Sequence, residues 1–380
     1  MTNQAANKRK QDLYSIWHAA VSAVSGQHSV EHAIAHDSVF QPDTVIAVGK
    51  AAPSMCRGAL TGYPDVKRAL VVTKYNHADD DLLSQRHVTV IEAAHPAPDQ
   101  QSLKAGAELL TWVKTMNSGS RLLLLVSGGA SAVAESLVEG MSLDCLQQVT
   151  NKMLSSGKAI DEINSKRKQF SRIKGGKLAE QFKGAEIRVY AISDVEGDSI
   201  STIGSGLGDC HRAQAKASSS IIASNQISRA YAAATAAKLG LTVQLNEETL
   251  YGDVFDIAQK IAAVLKNAES GVYIWGGEPT IRLPDNPGRG GRNQSLALAI
   301  AEHLQGREDI TLLVAGTDGS DGPGNAAGAI VDGNTFCDPL AALDSLRKAD
   351  AGSYLLKRNQ LFVTGPTNTN VMDLAVAIID

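Results

Sequence analysis

The sequence predicts an α/β protein of two domains, built on a parallel, doubly wound sheet. Three observations carry that prediction. The chain has 380 residues, enough for two hydrophobic cores. Short apolar runs, each the length of one buried strand, alternate with stretches of helical period along the whole chain. Many of those runs end in glycine-rich loops. The 34 glycines serve those loops, whereas aromatics make up only 4%, so the interior has to be built from Val, Ile, Leu and Ala.

Taken in order, residues 1–10 are expected to form a frayed tail. A helix over Gln11–Val24 places Leu13, Ile16, Trp17 and Ala20 on one face, and a second covers His28–Ala35. Strands are expected at Thr44–Val48, Ala69–Thr73, Val88–Ile91 and Leu122–Val126. A helix follows Gly49-Lys50-Ala51-Ala52 and runs toward Leu60, and Asp99 caps another that reaches about Met116. In a parallel sheet, ligands bind beyond the carboxyl ends of the strands. Lys50, Lys74, His95 and Ser127 all follow a strand, so they share that edge. The loop Ser127-Gly128-Gly129-Ala130-Ser131 has two glycines that let an anion approach the main chain, two hydroxyl donors, and a helix expected from Ala132. An anion-binding loop and an ordinary βα turn both fit this pattern.

A mostly helical stretch, Leu143–Phe182, holds Lys174-Gly175-Gly176-Lys177, where two glycines interrupt a helix beside two cations. The strand Glu186–Ile192 delivers Asp194, an acid suited to a base, a metal ligand or a turn. A strand at Ser220–Ala223 and a helix from Asn225 to about Leu239 close the first half. The division is drawn as 1–235 and 236–380. The second half is expected to repeat the βα alternation. Gly271–Trp275 leads into Gly276-Gly277-Glu278. The loop Gly288-Arg289-Gly290-Gly291-Arg292-Asn293 opens a helix, Gln294–Leu304. Ile310–Ala315 leads into Gly316-Thr317-Asp318-Gly319-Ser320-Asp321. Leu361–Thr364 leads into Gly365–Asn370 and a closing helix.

The totals exclude several classes. A net charge of −4 gives no nucleic-acid footprint and no polybasic membrane tail. No apolar run approaches the roughly 20 residues of a membrane span, and the polar start carries no secretory signal. Cys56, Cys145, Cys210 and Cys337 are far apart, in neither a CxxC pair nor a disulfide framework, which points to free thiols in the cytoplasm.

The strand-end loops pool cations (Lys50, Arg289, Arg292, Lys174), acids (Asp194, Glu278, Asp318, Asp321) and glycines. Phosphoryl transfer uses this mixture: cations and amides for phosphates, carboxylates for Mg²⁺ and for the accepting hydroxyl. Serine hydrolysis fits less well, because Val133 breaks the G-x-S-x-G pattern around Ser131. The loop after the first strand is neither a Walker A loop nor a G-x-G-x-x-G dinucleotide fingerprint.

Ten stretches then carry a resemblance: VGKAAPSM (48–55), TKYNHAD (73–79), EAAHPAPD (92–99), LVSGGASA (125–132), AIDEINSKRKQFSRIKGGKLA (159–179), SDVEGD (193–198), GGEPT (276–280), GRGGRNQSLALA (288–299), GTDGSDGPGNAAGAIVD (316–332) and TGPTNTNVMDL (364–374). In order, and over nearly the whole chain, they resemble the type II glycerate kinases, or glycerate 2-kinases, with a MOFRL C-terminal domain. The resemblance implies ATP-dependent phosphorylation of D-glycerate at its 2-hydroxyl, giving 2-phosphoglycerate, with Mg²⁺. It implies a Rossmann-like N-terminal domain, a smaller α/β C-terminal domain, and an active site in the cleft between them, completed by closure. Lys50, Asp194 and Arg292 match family positions that act in catalysis.

On that basis Ser127, Gly128, Gly129 and Ser131 are expected on the ATP phosphates. Lys174, Gly290, Gly291 and Asn293 are expected as further substrate or nucleotide contacts. Arg292, with Lys74 or His95, would hold the glycerate carboxylate. Glu278, Asp318 and Asp321 are the candidate metal ligands. The expected partners are ATP and a small hydroxy acid, and the expected assemblies include a homodimer. Three departures touch the loops: Ala130 and Asn76 stand where relatives usually show glycine, and Gly206-Leu207-Gly208 replaces Gly-Pro-Thr. They leave open a kinase for a related hydroxy acid. An NAD(P)H-dependent hydroxypyruvate reductase is the alternative from another enzyme class.

Overall fold

The computed structural model describes residues 2–37, 39–78, 80–156 and 160–380. Asp79 and Ala159 of the stretches quoted above lie outside the described residues. The chain divides into two compact units, 25–224 with 368–370, and 1–24 with 225–367 and 371–380. The break therefore falls at 224/225 rather than 235, and the first 24 residues pack with the C-terminal half of the chain.

The unit 25–224 is built on six strands: β1 (Thr44–Val48), β2 (Arg68–Lys74), β3 (Val88–Ala93), β4 (Arg121–Val126), β5 (Glu186–Ile192) and β6 (Lys216–Ala223). They lie in the order β3-β2-β1-β4-β5-β6, and every pair is parallel. This is the doubly wound sheet the alternation predicted, with its switch point between β1 and β4. All five residues of β1 are buried, as are Leu122–Val126 of β4, because helices cover both faces of the sheet. Each such Leu or Val contributes about 2 kcal/mol by leaving water. Helix Ala52–Gly62 packs on β1 and β2, and helix Gln100–Lys114 packs on β3. Asp99 caps the latter with a full capping box, its carboxylate accepting from Ser102 N at 2.9 Å.

Two expectations for this unit are corrected. The segment after the β4 loop is one turn, Ala130–Val133, rather than a helix from Ala132. Strand β6 begins at Lys216, four residues earlier than expected.

The second unit departs further from its expectation. Its strands are β7 (Val243–Glu248), β8 (Gly252–Asp253), β9 (Gly271–Gly277), β10 (Pro279–Thr280), β11 (Ile310–Gly316), β12 (Gly328–Asp332), β13 (Leu361–Phe362) and β14 (Asp373–Ile379). Six form a sheet in the order β13-β12-β11-β14-β9-β7. Only β7–β9 is parallel in it, and the other four pairings are antiparallel. The expected closing helix is strand β14, buried at all seven residues. Leu374, Val376 and Ile378 face one core, with Leu13, Ile16 and Trp17 of the N-terminal helix. Ala375, Ala377 and Ile379 face the other, with Leu296 and Ile300 of helix Arg292–His303. A run that is apolar on both faces shows no period, so strand and helix read alike in sequence.

The frayed tail is corrected as well: the first helix is Thr2–Ala23. Arg9 is buried on it and anchors it, donating to Thr311 Oγ1 at 2.9 Å and Glu308 O at 2.6 Å while pairing with Asp380.

Candidate active site

Each unit gathers its own set of polar groups, and each set starts from strand ends. In the first unit the switch point brings the loops after β1 and β4 together. Lys50 N donates to Gly128 O at 2.8 Å, and Ala51 N donates to Ser127 Oγ at 3.1 Å. Asp194, just past β5, lies against Gly128 so closely that a Cβ there would overlap its carboxylate. Glycine at 128 is therefore what lets the acid approach the loop. On the other side, Lys50 Cγ and His95 Cδ2 each lie 3.1 Å from where a Cβ on Gly129 would sit. Gly129 itself has φ +81°. The structure thus brings Lys50, His95, Ser127, Gly128, Gly129 and Asp194 into one constellation, with a lysine and an imidazole on one wall and a carboxylate on the other.

The field of that wall shows in its histidines. Burial pushes His95 down from 6.5 to about 4, and Lys50, Lys74 and His77 add in the same direction. His77 is lowered too, by burial and then by Lys74. Lys74 belongs to this wall through that electrostatic reach. At neutral pH His95 is uncharged, so it meets an anion as a hydrogen-bond donor rather than as an ion-pair partner.

A pH dependence follows from this. The folded state resists a proton that the unfolded chain takes up, so the contribution of His95 is fully present above pH 6.5. It is lost as the pH falls through about 4. Urea unfolding at pH 7 and pH 4 should show the wild type losing about 2 kcal/mol more than His95→Gln across that window.

Ser131 and Lys174 are placed behind the loop. Ser131 Oγ shares a hydrogen bond of 2.8 Å with Ser205 Oγ. Lys174 is completely buried, pairs with the equally buried Glu135, and donates to Ser131 O at 2.8 Å.

In the second unit the central side chain is Arg292, the first residue of helix Arg292–His303. Its Nε donates to Asp373 Oδ2 at 2.7 Å, and one terminal nitrogen meets Glu278 Oε1 at 2.9 Å. Burial works against the charge of Arg292. Asp373, Glu278 and Asp321 more than offset it, so the guanidinium titrates above its usual range. Burial pushes Asp373 up to about 6, against the pull of Arg292 and of the Asn293 side chain.

Asp321 accepts from Asn293 N at 3.0 Å and from Gln294 N at 2.8 Å, closing the start of the same helix. A Cβ on Gly291 would overlap the Asp321 carboxylate, so this cap needs a glycine there. Gly290 has φ +136° and leads into the cap. Gly290, Gly291 and Asn293 are thus the frame that presents Arg292.

The three acids expected to hold a metal are spent in three ways. Asp321 caps the helix and Glu278 pairs with Arg292. Asp318 closes its own turn, accepting from Ser320 N and Oγ at 2.9 Å. Among the described residues no group of three or more His, Cys, Asp or Glu side chains is placed to hold a metal ion. Glu278, Asp318 and Asp321 therefore do not converge into a three-carboxylate metal centre.

Asp373 was missed in the sequence, although an acid opening an otherwise apolar run was its visible signal. Removing its charge leaves Arg292 with the direct pair to the half-exposed Glu278 and the more distant field of Asp321. Asp373→Asn should cost about 2–3 kcal/mol in denaturant unfolding.

The chain matches the family model described as "Domain of unknown function (DUF4147)" over residues 12–239, and the MOFRL family over 271–373. It is 32% identical to a D-glycerate 2-kinase of Thermotoga maritima, covering 88% of this chain and 90% of that protein. It is also 32% identical to a protein of Agrobacterium vitis named putative hydroxypyruvate reductase, over 88% of this chain and 98% of that one. The fold is similar to a crystal structure of glycerate kinase from Thermotoga maritima, with a TM-score of 0.89 and 30% identity. That match covers 98% of this chain and 100% of the other.

Proposed function

This chain belongs to the glycerate 2-kinase family, a DUF4147 domain followed by a MOFRL domain, and from that premise we propose that it transfers the γ-phosphoryl group of ATP to the 2-hydroxyl of D-glycerate. The products are 2-phospho-D-glycerate and ADP. The observation that carries this reading is the convergence of Lys50, His95 and Asp194 on Gly128–Gly129 at the switch point of a Rossmann-like sheet.

Phosphoryl transfer needs little covalent chemistry from the protein. It needs charge and position. The main chain of Ser127–Ser131 and the Ser127 hydroxyl receive phosphate oxygens, in a loop whose glycines allow close approach. Lys50 offsets the charge that spreads over the transferring group. Asp194 orients the 2-hydroxyl and takes its proton. Arg292, preset by Asp373, offers its remaining N–H groups to the glycerate carboxylate. The acids of the second unit are otherwise engaged, so no step here runs through a protein-held metal. Mg²⁺ belongs to the reaction as part of the MgATP substrate, with the phosphates among its ligands.

The hydroxypyruvate reductase name carried by two Agrobacterium vitis relatives finds no support in the β1 loop. That loop reads Gly49-Lys50-Ala51-Ala52 and lacks the glycines that bring a dinucleotide pyrophosphate onto a helix. Among the described residues no helix is long and apolar enough to cross a membrane. A side-by-side assay separates the two chemistries. ADP release should follow D-glycerate among small hydroxy acids, and hydroxypyruvate should drive no NADH oxidation. The reverse pattern would favour the reductase.

A further inference from the structure

A fully buried ion pair sits behind the β4 loop, and the mechanism above makes no use of it. Lys174 and Glu135 are both completely inaccessible to solvent. The Lys174 ammonium pairs with one oxygen of Glu135 and donates to the main-chain oxygen of Ser131 at 2.8 Å. The other Glu135 oxygen accepts from Ser136 N at 3.0 Å. Glu135 N donates to Ser102 O at 3.0 Å, which fastens this segment to the start of helix Gln100–Lys114.

The residues after Lys174 reach a third loop. Gly175 N donates to Ser205 O and Gly176 N donates to Gly206 O, both at 3.0 Å. Ser205 then returns to Ser131 through the 2.8 Å bond between their hydroxyls. Ser131 is held twice, by its carbonyl through Lys174 and by its side chain through Ser205. The two holds are themselves joined at Gly175. Three segments close into a ring: the β4 loop, the Ser171–Lys177 stretch, and the loop that carries the chain on from Asp194.

We propose that Lys174 is a positioning residue that acts through Ser131 and Glu135 to keep the Ser127–Ser131 loop in its phosphate-binding shape, without touching the ligand. The proposal rests on reading that loop as the phosphate cradle.

Two physical points support it. Only one helical turn, Ala130–Val133, follows the loop, so no long helix fixes its shape. A buried ion pair is also a poor source of stability, since packed apolar side chains of similar size do as well or better. What the pair supplies and an apolar pair cannot is direction: an ammonium aimed at one carbonyl. The sequence placed Lys174 among the ligand contacts. The geometry assigns it the layer behind them.

The test removes the direction and keeps the packing. Lys174→Met with Glu135→Leu exchanges the pair for apolar side chains and leaves neither charge alone. The expected result is a Tm within a few degrees of wild type and kcat/KM for ATP lowered about 30-fold. KM for D-glycerate, whose carboxylate Arg292 holds, should change less than twofold. A folded double variant with wild-type kcat/KM for ATP overturns the proposal. So does an equal loss for both substrates, because that would reflect general loosening.

Ser205→Gly supplies a second arm in case the double variant does not fold. Ser205 has φ +59°, which glycine adopts without strain, so the exchange removes the hydroxyl bond to Ser131 while suiting the backbone. It should lower kcat/KM for ATP about threefold with no loss of Tm, and no change counts against the ring. A wild-type protein that fails to phosphorylate D-glycerate would overturn the functional reading itself, which is a separate outcome from wild-type kinase activity retained in these variants.

Discussion

Replacing Lys50 with alanine should lower kcat by about 10²–10³, a loss of roughly 3–4 kcal/mol of transition-state stabilisation. Fold and Tm should stay close to wild type. Lys50 follows a fully buried strand, and among the described residues it makes no ion pair that its removal would orphan. Its main-chain bond to Gly128 survives the exchange, so the loop keeps its anchor. Steady-state kinetics with saturating ATP and D-glycerate check the number, and thermal unfolding checks the fold. The lowered titration of His95 reports the same charge, with Lys50 and Lys74 contributing after burial. Near-normal turnover in the variant would remove Lys50 from the mechanism.

Asp194→Asn should be comparably severe, with kcat down by about 10²–10⁴. The amide keeps the shape that packs against Gly128 and loses the ability to take a proton. The loss should therefore fall on kcat, while KM for ATP and for D-glycerate stays within about threefold. Pre-steady-state measurement of the first turnover would show whether the chemical step has slowed. A variant that retained fast chemistry would reduce Asp194 to a structural partner of the glycine loop.

Much of the first unit was legible in the sequence. Strands buried on both faces read as continuous apolar runs, each closed by a polar loop, so β1, β2, β4 and β5 and their parallel direction followed from pattern, while the order of the strands did not. The same reasoning misread the second unit. Its strands pair antiparallel, and β14 shows no period because Leu374 and Val376 face one core while Ala375 and Ala377 face the other.

The sites divide along a similar line. A residue directly after a strand, such as Lys50 or Asp194, can be placed at the ligand edge from sequence. A residue whose role depends on a partner far along the chain cannot. Glu135 gains its meaning from Lys174, 39 residues away, and Asp373 from Arg292, 81 residues away. Asp321 looked like a metal ligand because acids among glycines often are. Its carboxylate instead closes the start of the Arg292 helix, a contact that spans 27 and 28 residues.

The central claim concerns which bond is made. The most direct test incubates the protein with MgATP and D-glycerate and reads the product by proton-coupled phosphorus NMR. A phosphate on the 2-position splits into a doublet from the single proton on its carbon, and one ADP forms per product. That result is predicted. A triplet from a phosphate on the 3-position, or no ADP at all, would contradict the account.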